Sequence, residues 1–358
     1  MYEGREGMYE LFKEHYSTAD IHINDIHRKE IAMFVFSKTG EWHRAMYFQN
    51  KEDLIEKMVT EKPPAGLFAS TAYYMDPNER VISRRDLMKF DFVVDLDDYM
   101  PDDMDMVDFI DIMRAKTKYI VDRFLLDLGF KEEDMTIDFS GNKGFHITFE
   151  SDDYTHLDQA DRRQIIGYIV GDKLDRSIIL PDSKLRHYGW NKQVVHFLNH
   201  ILEDNSTQNL ERYFPKTTAK KINSLLADPA VVARLQAGSL VDFDLNALRK
   251  AVMKEHAVNV KSIVDKGCTT DKHRILRVPG SLHAKKGLPS VRLDMFQLDS
   301  VDLILDEIMR VAGEDGVEVN LLNDVEINFP RKKYFKKGKH TIPRYEALCA
   351  IVQDCKYE

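Results

Sequence analysis

The chain has 358 residues, 43% hydrophobic and 31% charged, which is enough apolar material for a sizeable core and excludes a low-complexity or disordered polymer. Its formal net charge of −9 excludes a uniformly basic nucleic-acid coat but leaves room for a local basic surface. Three cysteines (Cys268, Cys349, Cys355) at spacings that suggest no disulfide framework, an N-terminus without a signal-peptide core and the lack of a membrane-length apolar run lead to the expectation of a cytosolic protein with no membrane partner.

Taken in chain order, residues 8–18 are expected to form a short helix and 26–49 strands broken at Thr39-Gly40. KEDLIEKMVTEKPP predicts a helix stopped by Pro63-Pro64. Strands follow over 67–75 and 90–97. Pro101 with Asp102 and Asp103 predicts a helix start, because proline suits the first helical position and acids suit the positive end of the dipole. That helix carries Met106, Phe109, Ile110, Met113, Ile120, Phe124 and Leu128 at helical spacing and ends at Gly129. TIDFS and FHITF read as short strands around SGNKG, and 158–176 as helical. Residues 190–256 hold short helical patterns broken by Pro215, Pro229 and Gly238. Strands are expected again near 258–264, 273–278 and 290–296, and a helix over 300–312. The resulting domain reading is a discontinuous core of 1–189 and 257–345, a mostly helical subdomain of 190–256 and a C-terminal tail of 346–358.

Three stretches carry chemistry. In FDFVVDLDD, alternation puts Asp91, Val93, Asp95 and Asp97 on one face, opposite Phe90, Phe92, Val94 and Leu96. Carboxylates two apart on a strand lie about 6.6 Å apart in rise and suit hard cations such as Mg²⁺ or Mn²⁺. A solvated strand end reads the same way locally. In SGNKGFHI, Gly141 and Gly144 flank a tight connection that exposes backbone N–H groups beside Ser140, Lys143 and His146, a phosphate-binding pattern that a plain glycine hairpin also explains. Residues 265–289 gather Asp265, His273, Arg274, Arg277, His283, Lys285 and Lys286 around Pro279-Gly280, after an expected β-branched strand, VNVKSIV. This suits a polyanion or a solvated basic loop equally. RKKYFKKGKH at 331–340 has six Lys or Arg, a candidate template-binding stripe or a solvated tail.

Together these stretches resemble the catalytic small subunit of archaeal and eukaryotic replicative primases. VVDLDD is similar to the family's strand ending in Asp-x-Asp, SGNKGFHI to its Ser-Gly-x-x-Gly-x-His, and ILRVPGSLHAKKG to its Leu-x-Arg-x-Pro-x-Ser-Leu-His-x-Lys-x-Gly; HRKEI, HRAMYF and STAYYMDP add weaker likeness. The resemblance covers roughly residues 10–300 and is weakest over the helical stretch. It implies an α/β fold, a mixed-sheet catalytic core with flanking helices and a small helical subdomain. It implies that Asp95, Asp97 and Asp265 are catalytic, metal-binding carboxylates for Mg²⁺ or Mn²⁺. Ser140, Lys143, His146, Arg277, His283, Lys285 and Arg44 are its nucleotide-binding candidates. Lys29 stands where the family usually has Arg, and Arg28 beside it offers a guanidinium. The family's structural zinc site, built from Cys and His, has no counterpart between Asp97 and Cys268, where there is no Cys, so zinc is expected to be absent. The implied activity is primer synthesis on single-stranded DNA from nucleoside triphosphates, in a heterodimer with a primase large subunit. A stand-alone primase-polymerase or end-joining polymerase of the same superfamily, and a non-enzymatic nucleic-acid-binding subunit, are the alternatives. Three acids on a DNA-binding face would repel phosphate, which speaks against the last.

Overall fold

The computed structural model describes residues 1–36 and 40–355, with the backbone alone at 176, 258 and 259. The chain forms two compact units, one of Met1–Lys118, Glu133–Arg162 and Asp265–Glu358, the other of Tyr119–Glu132 and Arg163–Val264. The fold is α/β, as the resemblance implies.

The first unit is built on two main sheets. One has five strands in the order Val264–Asp265, Phe92–Leu96, Phe145–Phe149, Met135–Phe139 and Val291–Leu293. The other has four, in the order Ile275–Arg277, Gly66–Ser70, Ile31–Val35 and Glu41–Met46, all antiparallel. A three-stranded sheet joins Tyr2–Glu3, Gly316–Leu321 and Gly338–Pro343. Phe92, Val94, Leu96, Ile147, Phe145, Phe149 and Phe139 are all essentially inaccessible, so the strands of the five-stranded sheet stack their large side chains into one apolar layer. Burying each such side chain contributes roughly 1.5–3 kcal/mol, which is what fixes the register.

The two apolar runs at 67–75 and 90–97 each split. Gly66–Ser70 joins the four-stranded sheet while Ala72–Tyr74 pairs with Leu87–Phe90, leaving Phe92–Leu96 for the five-stranded sheet. The break at Phe90–Asp91 is held by Arg162, fully buried, whose guanidinium donates to Phe90 O at 2.8 Å, Asp91 O at 2.6 Å and, through Nε, Leu157 O at 3.0 Å. That charge sits over the Phe90 ring at 3.6 Å. No local signal marks the break, because its cause lies 71 residues away in sequence.

Other expectations are corrected. The helix expected from Pro101 begins at Met106: Pro101 O accepts from Met104 N in a turn, and the first free helical N–H groups go to Asn328 Oδ1 and Pro330 O. The strand expected at 258–264 is instead a π-type turn, Ala257–Lys261, continuing the Leu245–His256 helix, and only Val264–Asp265 is extended. With no Gly or Pro to stop it, the helix overrides the β-branched pattern. The expected tail contains a helix, Arg344–Asp354, whose Ala347, Leu348, Ala350 and Ile351 are buried. The basic stretch supplies the strands Lys332–Phe335 and Gly338–Pro343, and three of its cations are already engaged, Arg331 by Asp105, Lys332 by Asp102 O and Lys333 by Glu346. The helix expected over 300–312 is present as Val301–Ala312. Thr39, half of the expected break at Thr39-Gly40, lies outside the described residues.

The second unit is helical. Gly189–Glu203, Lys216–Leu226, Pro229–Gln236 and Leu245–His256 enclose Trp190, Phe197, Leu198, Ile222, Leu235 and Leu248. Asp228 caps the helix that opens with Pro229, and Asp244 caps the next, each by accepting backbone N–H groups. Its extent, from 119 and 163 rather than from 190, differs from the expected subdomain boundary.

Each unit buries one histidine against a carbonyl. His15 Nε2–H donates to Gly280 O at 2.8 Å and His256 Nε2–H to Ile169 O at 2.7 Å. Burial pushes both rings down to about 4 from an ordinary 6.5. The unfolded chain therefore binds protons that the folded chain refuses between those values, and stability falls as pH drops from about 6.5 toward 4. Each ring accounts for on the order of 3 kcal/mol across that window. Denaturant titrations at pH 7 and pH 4.5 should show the loss, and His15→Gln, which keeps a donor, should flatten it.

Candidate active site

Strand register aligns the polar side chains. Asp95 lies opposite His146, His146 opposite Asp138, and Asp138 opposite Arg292, giving one polar row across four strands. Within it His146 Nε2 is 3.6 Å from Asp95 Oδ1, and Arg292 Nε donates to Asp138 Oδ1 at 2.6 Å. Asp95 ends this row at the mouth of a cavity of about 220 Å³, lined from both main sheets. Asp95, Asp97, Ser140, Asn142, His146, Arg274, Arg277 and His283 are among its walls, together with the ring of Phe68.

The SGNKG connection reaches this mouth because of one glycine. Ser140 N donates to Gly144 O at 2.9 Å and Gly144 N to Ser140 Oγ at 3.1 Å, closing the loop on itself. A Cβ on Gly144 would lie 2.3 Å from Leu96 O, so only glycine lets the loop press against the end of the Asp95 strand. Lys143 is thereby brought to 3.5 Å from Asp97 Oδ1 and donates to Asp98 O. Asp98 itself pairs with Lys116 at 2.9 Å.

Asp265 arrives from a different segment. It caps the short Lys266–Thr270 helix, its Oδ1 accepting from Gly267 N at 2.9 Å and Cys268 N at 3.4 Å. Its other oxygen meets Arg274, whose Nη2 lies 3.2 Å from Asp265 Oδ2 and 2.8 Å from Asp95 Oδ2. Two carboxylates thus converge on one positive charge. Arg277 is half-buried, donates to Leu282 O at 3.1 Å and stacks over Phe68 at 4.7 Å. Burial pulls its guanidinium down to about 10, which still leaves it charged at neutral pH. Burial, with Asp95 nearby, pushes the Cys268 thiol well up, so it stays protonated and unreactive.

The structure brings Asp95, Asp97, Ser140, His146, Arg277 and His283 to one cavity, with Lys143 and Asp265 attached through ion contacts. It does not bring Arg44 or Lys285 there. Arg44 donates to both oxygens of buried Glu30, at 2.7 and 3.1 Å, and Glu30 also holds Arg85 and Ala45 N. Lys285 is exposed, its N donating to His283 Nδ1 at 3.2 Å. Lys29, not Arg28, makes the buried contact at its position, to Asp91 Oδ2 at 2.9 Å. Arg28 reaches Met75 Sδ, at 3.8 Å. The residue that sequence reasoning passed over is Arg274: it sat in the basic loop, but only the folded chain shows it on both carboxylates.

The donor set fits a hard divalent cation: every candidate ligand is a carboxylate oxygen, and the Arg274 guanidinium stands where positive charge is needed. Among the described residues no three acidic, His or Cys side chains are already gathered at metal-holding distances, so full coordination requires the side chains to shift.

An α/β fold with an acidic strand end facing a glycine-flanked loop that carries Ser140 and Lys143 is what these elements define. The chain belongs to the DNA primase small subunit family, whose model matches residues 90–295. It is 27% identical over 357 residues to the DNA primase small subunit PriS of Thermoplasma volcanium, an alignment covering 95% of this chain and 94% of that one. It is 27% identical over 371 residues to the PriS of Methanococcoides burtonii, covering 94% of each, and 26% identical over 335 residues to that of Picrophilus torridus, covering 90% of each. Among the described residues no helix is long and apolar enough to cross a membrane.

Proposed function

We propose that this chain is the catalytic subunit of a DNA primase, joining nucleotides into short RNA primers on a single-stranded DNA template, with a large subunit as partner. The observation that carries the reading is the convergence of Asp95 and Asp265 on one charge beside Asp97, at the mouth of a cavity whose other walls are Ser140, His146, Arg277 and His283. Asp95, Asp97 and Asp265 would hold two Mg²⁺ or Mn²⁺ ions. Such ions, when bound, favour ionisation of the attacking 3′-hydroxyl and neutralise charge on the leaving pyrophosphate. The chain's own part is positioning. Arg277, fixed by Leu282 O and Phe68, offers a charged fork to phosphate oxygens. Lys143 and His146 flank the carboxylates from the SGNKG side, and Ser140 holds that loop's shape, so a triphosphate is held between the loop and the His283 segment. Arg44 instead holds Glu30, and Lys285 is exposed outside the cavity lining.

Synthesis on unprimed single-stranded DNA tests this, with ribonucleotides and deoxyribonucleotides in separate pools, with and without a large subunit. De novo chains in the ribonucleotide pool are expected. Extension of supplied primers without any de novo product would instead indicate an end-joining type of polymerase.

A further inference from the structure

Arg274 has a placement that phosphate binding does not explain. Its backbone is fixed at the cavity mouth, with Arg274 O accepting from Thr71 N at 2.9 Å and Arg274 N donating to Asp271 O at 3.2 Å. From there one guanidinium nitrogen spans Asp95 Oδ2 and Asp265 Oδ2. The remaining oxygen of each carboxylate is turned elsewhere: Asp95 Oδ1 faces His146 and Asp265 Oδ1 accepts the Gly267 and Cys268 amides. Arg274 therefore holds one oxygen of each carboxylate, the pair that a cation bridging them would need. A divalent ion bound by these same oxygens would bring a second positive charge within a few ångströms of the guanidinium, and the two cations repel. Arginine, unlike lysine or histidine, does not give up its proton to relieve that repulsion, so the guanidinium is driven off the pair.

We propose that Arg274 is an exchangeable cation. It holds Asp95 and Asp265 together against their mutual repulsion, and an entering divalent ion displaces it. This inference rests on the metal-binding reading of Asp95 and Asp265. It makes Arg274 a positioning residue whose contact competes with metal, so that metal affinity is set partly by the strength of the Arg274 pair.

The test is Mn²⁺ titration by calorimetry, with thermal unfolding in parallel, on the full chain and on Arg274→Met, each with and without Asp95→Asn. Removing a competing unit charge at this range should tighten Asp95-dependent Mn²⁺ binding by about tenfold or more. Arg274→Met should melt lower than the parent without metal, and saturating Mn²⁺ should close that gap. Equal or weaker Asp95-dependent binding in Arg274→Met, or a melting gap that persists at saturation, overturns the exchange while leaving the metal site standing. Absence of Asp95-dependent binding in both proteins overturns the metal reading and this inference with it. Arg274→Lys should fall between the parent and Arg274→Met, since it keeps the charge but loses the planar fork.

Discussion

Asp95→Asn should reduce primer synthesis by about 10³-fold or more, equivalent to several kcal/mol of transition-state stabilisation, without unfolding the chain. The Asp95 side chain is 17% exposed, and it shares Arg274 with Asp265, so the amide leaves no buried charge stranded. Its strand is held by the apolar layer of Phe92, Val94 and Leu96, which the substitution does not touch. The same logic applies to Asp97, whose Oδ1 contacts are Asp98 N and Lys143. A far-UV spectrum and melting temperature near the parent's, together with lost synthesis, are the expected pair of readings. Near-parental extension by either variant would remove these carboxylates from the chemistry.

Gly144→Ala should have the second-largest effect, and through geometry alone. Its Cβ would meet Leu96 O at 2.3 Å, a backbone atom at the end of a paired strand that cannot turn aside. Overpacking of this kind costs roughly 1–3 kcal/mol. The loop must back away from the strand end, taking Lys143 from Asp97 and shifting His146 relative to Asp95. A misplacement of about 1 Å at such a site costs on the order of 10²-fold in rate. Gly129→Ala supplies the contrast. Gly129 has a left-handed φ of 71° but no atom within 4 Å of its Cβ position, so a modest stability loss and little change in synthesis are expected there. Steady-state synthesis and denaturant midpoints for the two variants separate crowding from backbone strain.

What the sequence made legible was local. Alternation in Phe92–Leu96 and Phe145–Phe149 put Asp95 and His146 on one face, and the strand register then set them side by side. Helical spacing identified the Met106–Asp122 helix and Val301–Ala312. What escaped had distant causes. The helix start moved to Met106 because Asn328 and Pro330, more than 200 positions away, satisfy its first N–H groups. The strand break at Asp91 depends on Arg162, and Arg274 became part of the site only when two sheets faced each other. Arg44 carries a charge that suits phosphate, yet a buried carboxylate, Glu30, already takes it; composition cannot show such a prior engagement. VNVKSIV failed for a third reason, since β-branched residues directly after an unbroken helix extended it into a π-type turn.

The role proposed for Asp95, Asp97 and Asp265 is to bind divalent metal for nucleotidyl transfer. Its most direct test is calorimetric titration of Mn²⁺ into the full chain and into Asp95→Asn, Asp97→Asn and Asp265→Asn. Saturable binding by the parent that each substitution weakens severely is the predicted result. Binding of parental strength in all three variants, or none in the parent at millimolar Mn²⁺, would contradict it.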